Sequence, residues 1–279
     1  MIFGSGGGHA QSEAMVTIQA PIVGEVAAAH RAATIRWRLT YLAVWLAIIA
    51  GIILVLMQAD AWDWEFVFTS GPVIVRDGVW VTALLSVTSI VFATFLALIG
   101  ALGRLSPNAI LNGAASFCVS LIRGTPLLVQ IFVIYFALPQ IDIVLPAIVC
   151  GLIALSLNYG AYMTEIFRAG IQAVPTGQRE AARALGIEEG RVFRRIVLPQ
   201  AFRVVTPAIG NEFIAMLKDS ALVSVISVHE TLWISQRLGR SSFEPMTALL
   251  IAAVVYWVLT VIFTFFQARL ERRMARSDR

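Results

Sequence analysis

Apolar residues in this chain gather into long blocks separated by short polar stretches. A helix needs about 20 apolar residues to cross roughly 30 Å of hydrocarbon, and blocks of that length fall at residues 37–57, 78–103, 112–138, 146–171, 200–227 and 245–267. The pattern therefore predicts an all-α polytopic membrane protein with six transmembrane helices. Between the fourth and fifth blocks the pattern lapses, and residues 175–199 form a polar, Arg-rich excursion that needs a role in water.

The third block carries its own irregularity, Arg123-Gly124-Thr125-Pro126. Proline removes a backbone donor and glycine permits unusual dihedrals, so a break or kink is expected there. Broken backbone at membrane depth is tolerated only where protein or a water-filled cavity surrounds it, which turns this segment toward the protein interior. The organisation that follows has five parts: a mobile cytoplasmic tail at 1–36, an additional transmembrane helix at 37–57, an outer interfacial segment at 58–77, a transmembrane core at 78–268 and a basic cytoplasmic tail at 269–279. In the interfacial segment Trp62, Trp64, Phe66 and Phe68 alternate with acidic and small residues, as suits a helix or extended piece at the outer membrane surface.

Composition strengthens the membrane reading. The chain has 279 residues, 58% of them hydrophobic and only 14% charged, with a mean hydropathy of +0.81. That is too little charge to cover a soluble surface. Charge placement then orients the spans. Arg31, Arg36 and Arg38 precede the first; Arg104 follows the second; Arg179, Arg183, Arg191, Arg194 and Arg195 follow the fourth; Arg269, Arg272, Arg273, Arg276 and Arg279 close the chain. The opposite loops hold Arg76, Arg237 and Arg240, beside the acidic Asp60, Asp63 and Glu65. By the positive-inside rule both termini and the polar excursion are cytoplasmic. The net charge of +4 is thus a topology signal, and no basic-aromatic soluble domain suggests a nucleic-acid partner.

The first block also fits a second pattern, a signal peptide cleaved at Ala59-Asp60-Ala61. The apolar run from Leu39 to Met57 is longer than the roughly 7–15 residues of a signal core, which favours a retained span. Cys118 and Cys150 fall in different spans and at different depths, so they read as two small apolar fillers rather than a disulfide or metal pair.

Enzymatic chemistry finds little support. The single lysine, Lys218, follows Leu217 and is no part of a phosphate-binding Gly-Lys-Ser/Thr loop. No His-Glu-x-x-His or Gly-x-Ser-x-Gly occurs, and His9, His30 and His229 lie in the tail or an outer loop. No metal site and no cofactor is expected in this chain. Ionisable residues within spans are costly and so become functional candidates. Asn158, Tyr162 and Glu165 share one helical face of the fourth span, and Glu212, Lys218 and Asp219 are embedded in the fifth beside Asn211. Lys218 and Asp219, being adjacent, point to different faces and each is expected to pair with another helix. Interhelical bonds that fix the bundle are the plain alternative to a polar path.

The polar excursion reads as two short helices. Pro175-Thr176-Gly177-Gln178 breaks the fourth span, Thr176 is placed to cap, and Glu180 is placed in the first turn, where negative charge is favoured. Ala181, Ala182 and Ala184 give a helix with a small face that a partner can approach closely. Gly186 ends it, and Val192, Phe193, Ile196 and Val197 supply the apolar stripe of a second helix that holds the pair to the bundle, before Pro199 starts or kinks the next span.

Glu180-Ala181-Ala182, three residues, Gly186, nine residues and Ile196-Val197-Leu198-Pro199 closely resembles the coupling motif of ABC-importer permeases. The segments from Ile122 to Gln130, Asn158 to Arg168 and Gly210 to Leu222 are similar to the polar-amino-acid branch of that family. The resemblance covers the chain from Gly78 to Gln267 and implies a five-helix type I permease core behind one extra N-terminal span. It implies a subunit of the bacterial cytoplasmic (inner) membrane that forms an amino-acid path with a second permease subunit, identical or paralogous. It also implies separate cytoplasmic ABC ATPase subunits, which carry the ATP and Mg, and an extracytoplasmic solute-binding protein. Glu180, Ala181, Ala182, Leu185 and Gly186 would then meet the ATPase. Glu165 and Asn158, with Tyr162, Arg123, Gln130 and Glu212, are the substrate-path candidates, since a carboxylate at mid-depth can pair with an ammonium group and amides or helix ends can hold a carboxylate. An ion-coupled secondary transporter or channel is the alternative. It would explain the embedded charges but leaves the helix pair without a purpose.

Overall fold

The computed structural model describes residues 32–51, 53–55, 57 and 62–275. Most of the expected tail and the Ala59-Asp60-Ala61 triplet lie outside the described residues. The chain divides into two units between Trp62 and Asp63. The first contains one helix, α1 (Ala32–Val55), with a mean hydropathy of 2.2. It starts within the stretch expected as tail. Trp37, Tyr41 and Trp45 recur every fourth residue, and their rings form a ladder with centroids 5.3 and 5.9 Å apart.

The second unit opens with Asp63, whose carboxylate accepts the Phe66 N–H at 2.5 Å and caps α2 (Trp64–Val73). Pro72 withholds one donor, and a π turn follows at Ile74–Gly78. The chain nevertheless stays helical into α3 (Val79–Arg104), so Trp64–Arg104 is one helix of 41 residues. Residues 64–77 of the expected interfacial segment are therefore an extension of the second span, because the π turn absorbs what the proline disrupts.

After α4 (Ala109–Arg123) the axis turns by 103° into α5 (Leu127–Ala137). Gly124 and Pro126 place the expected break. The most deeply buried helix, α6 (Ala147–Gln172), packs along α3. Ser89, Ala93, Ala97 and Ala101 form a stripe of small buried residues on α3, and a Cβ added at Gly100 would lie 2.3 Å from the Thr164 hydroxyl. Such close approach lets dispersion and short polar contacts hold helices that lipid would solvate equally well.

Two short helices, α7 (Thr176–Ala184) and α8 (Glu189–Val192), form the polar excursion. A second π turn, Phe193–Val197, carries α8 into α9 (Leu198–Asp219) without a gap. Val192 and Val197 are buried together with Ile171, Val174, Ala182 and Ala201 beneath the pair, as the apolar stripe predicts. The fifth block stops short of residue 227. A 3-10 segment, Ser220–Ile226, follows α9 and ends at Ser227, whose φ is 63°. Then come α10 (Thr231–Ser241) and α11 (Pro245–Ala275). Glu230, fully buried, accepts the N–H groups of Leu232 and Trp233 at 2.9 and 2.7 Å and the Tyr256 hydroxyl, joining α10 to α11.

Among the described residues, Ala32–Val55, Trp64–Arg104, Ala147–Gln172 and Pro245–Met274 are long and apolar enough to cross a membrane, and the bent pair makes a fifth. The 22-residue α9 has the length, but its charged residues hold it below that apolarity.

Candidate functional site

A cavity of about 550 Å³ lies where the break, α6 and α9 meet. Its walls are residues 123–127 at the break, Asn158, Tyr159 and Tyr162 on α6, and Glu212 and Asp219 on α9. The break is held open by side chains. Gln130 donates from Nε2 to the carbonyls of Ile122 and Thr125 at 2.7 and 3.0 Å and to the Thr125 hydroxyl at 2.8 Å, while its Oε1 accepts the Asn158 amide at 3.2 Å. These bonds satisfy carbonyls that the lost helical turn would leave unpaired. Gln130 thus braces the chamber from behind without lining it.

No ion pair joins the charged groups of the chamber among the described residues. The Arg123 guanidinium lies 5.0 Å from the Tyr162 ring centroid, a cation–π contact, and no carboxylate comes within ion-pair distance of it among the described residues. Asp219 accepts the Tyr159 hydroxyl at 2.7 Å. Glu212 makes no hydrogen bond or ion pair among the described residues. One cation and two carboxylates therefore face the same space without mutual pairing.

Glu165 lies elsewhere. Its Oε2 accepts Arg168 at 3.0 and 2.8 Å, and its Oε1 pairs with Arg104 Nε on α3 at 3.3 Å without hydrogen-bond geometry. Although Glu165 shares a helical face with Asn158 and Tyr162, two arginines draw it into a helix-to-helix ion cluster, and it is absent from the cavity wall. Of the adjacent pair, Asp219 finds its expected partner on another helix, whereas Lys218 is exposed and makes no ion pair among the described residues. Cys118 is exposed rather than a buried filler, and Cys150 is buried. Sequence reasoning passed over Tyr159 and left Asp219 off the path. The seven-residue spacing of Glu212 and Asp219, which returns to one helix face, was the signal available.

The helix pair α7 and α8 has different construction. Pro175, not Thr176, occupies the N-cap position of α7 and makes no side-chain bond. Thr176 is the first helical residue, so Glu180 lies beyond the first turn, and both sequence expectations shift by a residue or more. The C-terminus matches expectation. Gly186 has φ +71°, its N–H reaches the Arg183 carbonyl at 2.9 Å, and the Ile187 N–H reaches Ala182 at 3.1 Å, a Schellman ending. Arg179 donates to the Ile171 carbonyl at 2.5 Å, and Gln200 bridges Gln178 and Ile196 at 2.6 and 2.9 Å. Ala182 packs inward, while Glu180, Ala181, Leu185 and Gly186 face outward. Leu185 is 80% exposed, an apolar side chain left uncovered at the tip of the pair.

The helical bundle, with its long apolar helices, broken span and polar chamber, is that of a polytopic membrane protein. Residues 89–276 match the model of the family described as binding-protein-dependent transport system inner membrane component, and the chain belongs to that family. Its fold is that of a type I ABC-importer permease. It is 40% identical over 222 residues to the L-cystine transport system permease protein TcyB of Bacillus subtilis (strain 168), covering 79% of this chain and 95% of that protein. Over 213 residues it is 38% identical to the histidine/lysine/arginine/ornithine transport system permease protein HisQ of Escherichia coli (strain K12), covering 72% and 92%. The crystal structure of an amino acid ABC transporter with histidines aligns with a TM-score of 0.71 and 36% identity, over 76% of this chain and 98% of that one.

Proposed function

We propose that the chain is one membrane half of an ATP-driven importer of amino acids, and that its cavity is the place where the solute rests. The observation that carries this reading is the chamber itself, in which Arg123 and the carboxylates of Glu212 and Asp219 face one space with no ion pair between them among the described residues. A zwitterion suits it, the solute's carboxylate meeting the guanidinium and its ammonium a carboxylate. Its size falls within the roughly 300–1,000 Å³ typical of small-molecule sites. The named relatives carry L-cystine or basic amino acids, which supports the same class.

In this reading α9 is the sixth crossing, its polar residues turned to the path, and both termini are cytoplasmic. A second permease subunit completes the path, and an extracytoplasmic binding protein delivers the amino acid. Separate ATPase subunits, holding ATP and Mg, receive α7 at Glu180, Ala181, Leu185 and Gly186. The Arg179 bond to the end of α6 and the unbroken run of α8 into α9 give ATPase closure two mechanical routes to the cavity walls. The chain supplies the path and the coupling, with no ATPase site of its own.

Proteoliposomes containing the chain and its co-encoded ATPase and binding protein test this. The expected result is uptake of radiolabelled amino acid that requires ATP inside and the binding protein outside. Uptake driven by an ion gradient, with the ATPase omitted, would establish the ion-coupled alternative instead.

A further inference from the structure

A second recess lies outside the chamber, where α3, α6 and α9 converge. It encloses about 340 Å³ between Val91 and Leu98 on α3, Phe167 and Ile171 on α6, and Leu198 to Val205 on α9. Its floor is buried at Phe167, Ile171, Ala201 and Val205, whereas its rim is open, with Phe95 63% and Phe202 55% exposed. Among the described residues Thr94 is the one polar side chain that lines it, and the Thr94 hydroxyl donates to the Ile90 carbonyl at 2.7 Å. A groove with no free donor offers little to water or to an amino acid and suits a hydrocarbon chain.

Positive charge stands beyond one end of this groove. Arg194 and Arg195 precede Leu198 by about one turn on the unbroken run from α8 into α9. Both are exposed, and neither makes a side-chain hydrogen bond or ion pair among the described residues. From Leu198 to Val205 the groove follows α9 for roughly 10 Å, against roughly 15 Å for half of the hydrocarbon thickness. That is the depth reached by an acyl chain whose headgroup sits beside the two arginines. Resting on the importer reading above, which places α7 and α8 in the cytoplasm, we infer that the groove docks an anionic phospholipid of the cytoplasmic leaflet, with one acyl chain between Phe95 and Phe202 and the phosphate on Arg194 and Arg195. The bound lipid bridges the base of α9 to α3 and α6.

Photo-crosslinking tests this in phosphatidylcholine proteoliposomes that contain the chain with its co-encoded ATPase and binding protein. Phosphatidylglycerol or phosphatidylcholine, each with the same diazirine-tipped chain, is added in trace amounts. Phosphatidylglycerol should label residues 91–98 and 198–205 at least about tenfold more than phosphatidylcholine does, and Arg194→Gln combined with Arg195→Gln should abolish that preference. Equal labelling by the two lipids would overturn the proposal, because the groove would then be solvated by bulk lipid only. Absence of label at those residues, as when α1 or a second permease subunit covers them, would overturn it too. If the double variant keeps the preference, or loses the ATPase subunit in place of the label, the role assigned to the two arginines is wrong. ATP-driven uptake in the same vesicles separates the two readings: uptake without selective labelling rejects the lipid site alone, and its absence in the parent rejects the importer.

Discussion

Two interruptions of the chain are built in opposite ways, one inside the bundle at residues 123–127, where glycine and proline fall together, and one in the polar excursion at residues 185–187, where glycine acts alone. At the first, carbonyls freed by the 103° turn are caught by Gln130, which is itself held by Asn158 from a neighbouring helix. At the second, Gly186 alone supplies the left-handed dihedral, two backbone bonds close the helix end, and Leu185 is left in the open. Hydrocarbon offers no hydrogen bonds, so an interruption there must recruit other helices and thereby creates an inward polar chamber. Water satisfies what the backbone leaves over, so the same residue types can leave a surface facing out.

The contrast is most exposed at Gln130. Gln130→Leu removes three donated bonds and the acceptor of Asn158, and is expected to destabilise the purified protein by about 3 kcal/mol, read from its denaturation midpoint, with amino-acid binding lost as well. Its counterpart beside the helix pair, Gln200→Leu, loses the bonds to Gln178 and Ile196 where water can replace them, and less than about 1 kcal/mol is expected. Equal losses in the two variants would mean that membrane burial does not set the difference.

Next in size is Gly186→Val. A β-branched residue at φ +71° is strained by about 2 kcal/mol, while asparagine tolerates the conformation. Faster hydrogen exchange confined to residues 182–187, with ATPase activity no longer coupled to uptake, is the expected outcome, and Gly186→Asn should restore both. Failure of asparagine to rescue would move the role of Gly186 from its dihedral to its lack of a side chain. Leu185→Ser follows. It should leave the melting temperature unchanged and weaken binding of the ATPase subunit about tenfold, as expected when an apolar anchor of this size is lost from an interface. Unchanged ATPase binding together with unchanged uptake would remove the outward face from the coupling argument. Glu180→Arg tests the same face by charge and should also uncouple uptake.

How much of this was legible in the sequence differs between the two interruptions for the same physical reason. The pair α7 and α8 is local: its helices, its glycine and the valines beneath it all follow from neighbours within about thirty residues of chain, and only its start was misplaced, because Pro175 took the cap position assigned to Thr176 and Glu180 fell beyond the first turn. The break itself was equally local. What surrounds it was not. Glu165 shares a face with Asn158 and Tyr162, yet its direction is decided by Arg104 on a different helix and by Arg168. Tyr159 reaches Asp219 across sixty residues of sequence, and no periodicity announces that. The second span illustrates the opposite error. It was expected to begin at residue 78 behind a separate interfacial segment, but a π turn let one helix run from Trp64 to Arg104 through Pro72.

The smallest expected effect is at Glu189, which pairs with Arg183 across the turn after α7. The hydrogen bond from the Arg183 guanidinium, and after it the attraction of that charge and of Arg179, hold the Glu189 carboxyl below its ordinary 4.5. A carboxyl lowered in the folded state adds stability above its unfolded value and loses it as pH falls through the folded one, so any contribution is present at pH 7 and fades below about pH 4.5. Both side chains are exposed, however, and solvent and salt screen them. Glu189→Gln should therefore melt with the parent at pH 7 in physiological salt, and any small difference at low ionic strength should vanish below pH 4 or in high salt. A clear loss that persisted in high salt would mean that the turn at residues 185–187 is held by desolvated bonds like those at residues 123–127, and the contrast between the two interruptions would fail at its weaker end.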